Sequence, residues 1–131
     1  MVQAKQTVSE TVFRISLLTT GGINILPSIL AFLPEKISKS YGIEIPNVNF
    51  ELLLRHRAVL FGIVGGIMIY AAISKKYYAT SVTVGLISMF SFIVLYFLMD
   101  GVNTALERVM QIDIVAVVFL LIGFLVYKFK N

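Results

Sequence analysis

Apolar residues in this chain do not alternate with polar ones at strand or surface-helix spacing. They run together in four blocks, each close to the ~20 residues a helix needs to cross a hydrocarbon core. The blocks predict helices over about 15–33, 50–74, 81–99 and 104–127 within one domain, 1–131. The expected fold is all-α, an integral-membrane antiparallel four-helix bundle. The first block is too long for a signal-peptide core and no small-residue cleavage pattern follows it, so it is expected to stay as a helix. Within it, Pro27 cannot donate to the carbonyl of Ile23, and Gly21 and Gly22 loosen the backbone, which predicts a kink around "TTGGINILP" with Asn24 beside it.

Only the connection "PEKISKSYGIEIPNVNFELL" is long enough for structure of its own. Pro34 at a first turn, Ile37 and Tyr41 on one face and Gly42 as a stop predict a short interfacial helix along the membrane surface. Asn49 is the expected cap of the second long helix, with Val48 and Leu53 as a hydrophobic staple. Thr104 and Glu107 have capping-box spacing at the start of the last.

Composition supports a membrane setting: 58% of the 131 residues are hydrophobic and 14% charged. No cysteine is present, which removes disulfides, thiol nucleophiles and thiolate metal sites, and one histidine gives no basis for a metal site. The net charge of +4 comes without a basic patch interleaved with aromatics, so a nucleic-acid partner is not expected. Topology accounts for it better. Lys5, Arg14, Lys75, Lys76, Lys128 and Lys130 share one side with a single acid, Glu10. The other side carries five basic residues and six acids, which favours cytoplasmic termini.

Candidate chemistry gathers near the opposite, outward side. "RHR" places Arg55, His56 and Arg57 about one turn into the second long helix. Ala58, Gly62 and Gly66 form a stripe of small residues there, with Glu51 and Arg55 on its face and Arg57 roughly opposite. The last helix has Asp113, Ala116 and Gly123 on a packing face, and Glu107 and Gln111 as a neighbouring i, i+4 pair close to Arg108. Charges of both signs in the hydrocarbon are expected to pair, Arg55 with Asp113 first and Arg57 with Asp113 second. A structural role for that pair outweighs ligand contact, and Asn24 is expected to satisfy the carbonyl freed by Pro27. His56 is read as an interfacial histidine open to proton exchange. "GIVGG" is no phosphate loop, and no nucleophile, base and orienter come together.

"NILP", "YGI", "LLRHRAVLFG" and "ALERVMQIDIVA" together resemble a family of small bacterial four-helix inner-membrane proteins, with a looser architectural similarity to DoxX-like proteins. The resemblance implies this fold and the bacterial cytoplasmic membrane. A phosphopantetheine adenylyltransferase label sometimes attached to that family does not fit, because neither a phosphate-binding strand-loop-helix nor a T-x-G-H motif is present. The expected role is binding of a membrane lipid or other amphiphile, with an anionic head meeting the cationic cluster, in an envelope-related capacity. No cofactor is expected. A small proton-coupled transporter using Asp113 and His56 is the alternative, and a lipid-modifying enzyme comes third. The glycine stripe would serve a homo-oligomer as readily as internal packing.

Overall fold

The computed structural model describes residues 2–130, with side chains from Val8 to Phe129 apart from Pro34. The side chains of Lys5 and Lys130, part of the charge asymmetry, lie outside the described ones. The chain forms α1 (Val2–Ile25), a 3-10 helix (Leu26–Phe32), α2 (Pro34–Tyr41), α3 (Val48–Ser74), α4 (Tyr78–Leu98) and α5 (Thr104–Lys130). It is all-α, and α1, α3, α4 and α5 make the four-helix bundle.

The first helix starts far earlier than the apolar block that announces it. Nothing in the polar lead-in breaks a helix before Gly21, so the backbone winds through it although only the later turns are greasy. At the other end the expected kink takes the form of a change of winding. From Leu26 the helix tightens into 3-10 geometry around Pro27, whose missing N–H leaves the α-helical ladder one bond short. α2 closes on Gly42, which adopts the left-handed conformation (φ 62°) and donates its N–H to the Ser38 carbonyl. Ile37 and Tyr41 point inward from α2 and are buried.

The caps of α3 and α5 lie one or two residues before the expected positions. Asn47, not Asn49, caps α3: it is extended, and its Oδ1 accepts the Phe50 N–H at 2.8 Å. Val48 and Leu53 are both exposed and form no staple. Asn103, not Thr104, caps α5, accepting the Leu106 N–H at 2.8 Å. Its Nδ2 meanwhile donates to the carbonyls of Tyr41 (2.8 Å) and Gly42 (3.1 Å), tying the end of α2 to the start of α5.

Consecutive long helices run antiparallel, α1 and its 3-10 extension meeting α3 from Arg14 against Ala72 to Ala31 against Arg55. α1 packs along α3 and α5, and α4 closes the far side against the same two helices. The core runs through Phe13, Leu17, Met68, Ala72, Met89, Ala116 and Leu120. α1 presents small polar side chains inward, with Ser9, Ser16, Thr20 and Asn24 all buried, and its neighbours approach closely there. On α3 the close approach is at Gly65, where an added Cβ would meet the backbone of Gly21 and Ile25, while Gly66 faces open space. The expected stripe drifts because a four-residue step rotates about 40° past a full turn, whereas the seven residues from Ala58 to Gly65 nearly close two turns. Gly62 keeps its place against Ser28, and on α5 Gly123 faces Ser16 while Ala116 is buried.

Leu52, Ile63, Ile73, Phe90, Phe97, Val115 and Ile122 all point out of the bundle. Four segments, Val8–Phe32, Val48–Ser74, Tyr78–Leu98 and Thr104–Phe129, are long and apolar enough to cross a membrane, with mean hydropathy from 1.6 to 2.7. This is the build of a multi-pass membrane protein.

Candidate functional site

A cavity of about 390 Å³ opens where the 3-10 helix, the end of α1, α2, α3 and α5 converge. Ile23, Leu26, Pro27 and Leu30 form one wall and Val109 and Ile112 another, with the rings of Tyr41 and Phe61 between them. Its polar lining, besides the Tyr41 hydroxyl, is Asn24, Ser40 and the Asp113 carboxyl. Asp113 is half-buried and makes no hydrogen bond or ion pair among the described residues. The Asn24 amide donates to the Thr20 carbonyl at 2.9 Å, one turn back along its own helix, and not to the carbonyl freed by Pro27.

Arg57 lies against the aromatic wall of this cavity. Its guanidinium sits 4.6 Å from the Phe61 ring centre and 5.3 Å from those of Tyr41 and Phe92, a three-sided aromatic box. It lines a separate groove of about 220 Å³ between α3 and α4, together with Ser88 and Ser91, and Phe61 borders both spaces. Arg57 and Asp113 are each the tenth residue of helices that start at the same end of the bundle. Arg57 is the charge that acts on Asp113 most, yet the two form no ion pair.

Arg55 is not the partner of Asp113. Its Nε donates to the Ala31 carbonyl at 2.7 Å and its Nη1 pairs with Glu51 at 3.6 Å. It therefore fastens the 3-10 helix to α3, supplying a donor where the short helix leaves carbonyls free. Helical rotation placed Arg55 in a seam correctly, but the seam is with the 3-10 segment and not with α5. The other expected site residues are dispersed: His56, Arg108 and Gln111 are exposed, and Glu107 is half-buried without lining the cavity. Of eight candidates, Asn24 and Asp113 face the cavity and Arg57 backs it.

The sequence alone does not mark Tyr41, Phe61 and Phe92 as site residues. Phe61, one turn beyond Arg57, was legible from i, i+4 spacing. Tyr41 and Phe92 reach the guanidinium from α2 and α4, which local spacing cannot foretell. At the opposite end Arg14 donates to the Ala72 carbonyl at 2.6 Å, in the last turn of α3, and the Tyr78 hydroxyl donates to Glu10 at 2.9 Å. Among the described residues no three His, Cys, Asp or Glu side chains stand close enough to hold a metal ion.

The cavity thus offers an apolar body, one carboxyl and two aromatic side chains. No family model, curated protein or solved structure matches the chain.

Proposed function

We propose that this protein binds an amphiphile in the cavity framed by the 3-10 helix, α2, α3 and α5, in the bacterial cytoplasmic membrane, with both termini cytoplasmic and in an envelope-related role. The observation that carries the reading is the cavity itself: space for a ligand-sized body at one end of the bundle, walled by aliphatic and aromatic side chains, with a few polar groups converging on it. A molecule partitioning from the bilayer would bring its own apolar part to those walls. The resemblance of "RHRAVLFG" and its companion segments to a bacterial inner-membrane family supports the location.

Native mass spectrometry of the purified protein with its co-purifying lipids tests this. The native chain is expected to retain a defined amphiphile. Val109→Phe, which narrows the cavity while remaining apolar, is expected to retain about tenfold less, the effect of a steric cost near 1.4 kcal/mol. Equal retention by both chains, or adducts that mirror bulk lipid, would overturn the reading.

A further inference from the structure

We infer that the head of the occupant is cationic, an ammonium or similar amine, with Asp113 as its counter-ion. The inference rests on the amphiphile-binding reading above and adds the sign of the charge. Among the described residues Asp113 is the only acidic or basic side chain lining the cavity. A carboxylate inside a helix bundle in lipid is costly unless something compensates it, and no described side chain bonds to it.

The obvious internal candidate is held away. Arg57 spends its guanidinium face on Tyr41, Phe61 and Phe92 and lines the α3–α4 groove instead. No described side chain bonds to the carboxylate, which leaves a bonding partner to come from outside. An anionic head would meet a carboxylate where it needs donors. The anionic preference expected from "RHR" loses its basis because Arg55 is engaged with Ala31 and Glu51 and His56 is exposed.

The test uses three probes with one dodecyl chain: dodecyltrimethylammonium, dodecyl sulfate and dodecanol. Each is titrated into the full chain in nanodiscs of zwitterionic lipid, and retention is read by native mass spectrometry. Binding that survives Val109→Phe is subtracted as bilayer background. The cavity-specific part is expected to favour the cation about tenfold or more over both other probes. Asp113→Asn should bring cation and alcohol to parity while leaving alcohol retention unchanged, and Asp113→Glu should keep the preference.

Equal retention of all three by the native chain, or a preference that persists in Asp113→Asn, overturns the inference and leaves the cavity reading intact. If no probe shows a component sensitive to Val109→Phe, the cavity reading itself fails. The comparison among probes does not use the Asn variant, so it stands even if that variant does not fold.

Discussion

At Gly65 the backbones of α1 and α3 lie so close that a Cβ would stand 2.5 Å from the Gly21 carbonyl oxygen and 2.9 Å from the Ile25 nitrogen. Neither atom can swing aside as a side chain could. Gly65→Ala is therefore expected to cost about 1–3 kcal/mol by overpacking, read as a shifted unfolding midpoint in mixed micelles. Gly66→Ala meets nothing and is expected to be neutral or to gain up to about 1 kcal/mol from helix propensity. Equal losses at the two positions would mean the seam is misplaced. The same scale shows what could be read beforehand. Asn24 and Asp113 stand out as polar residues inside apolar runs, so their inward position was legible. The partners of Arg55 and Arg57 were not, because Ala31, Tyr41 and Phe92 belong to other elements and only packing brings them near.

Among the elements, α2 is hydrogen-bonded to the start of α5 through a single side chain. Asn103 caps α5 with its oxygen and holds the Tyr41 and Gly42 carbonyls with its nitrogen. Asn103→Ala is expected to lose about 1–3 kcal/mol, combining a helix cap with a released loop contact. Faster hydrogen exchange in α2 should accompany the loss. Thr104→Ala is expected to stay within about 0.5 kcal/mol, since Thr104 is exposed and not the cap. A larger effect at Thr104 than at Asn103 would restore the capping box. The number and order of the long helices were legible because burial in lipid needs unbroken apolar runs. Their ends were not, because Asn47 and Asn49, or Asn103 and Thr104, are equally suited to capping. Nothing local decides between neighbours two residues or fewer apart.

For the whole molecule the open question of orientation has a direct answer in labelling, because the chain has no cysteine of its own. Lys76→Cys and Asp100→Cys place single thiols in or beside turns at opposite ends of α4. With cytoplasmic termini, a membrane-impermeant maleimide is expected to label the position-100 variant in intact cells and the position-76 variant only after permeabilisation. The reverse pattern would invert the topology, and labelling of both in intact cells would contradict a spanning bundle. The place of Asp113, ten residues into a helix long and apolar enough to cross a membrane, matters here as well. A positively charged guest arriving there would carry its charge part of the way through a transmembrane voltage. Carrying a full charge through 100 mV is worth about 2.3 kcal/mol, and a guest stopping part of the way takes part of it. The polarised state of the cell would then help set how often the cavity is filled.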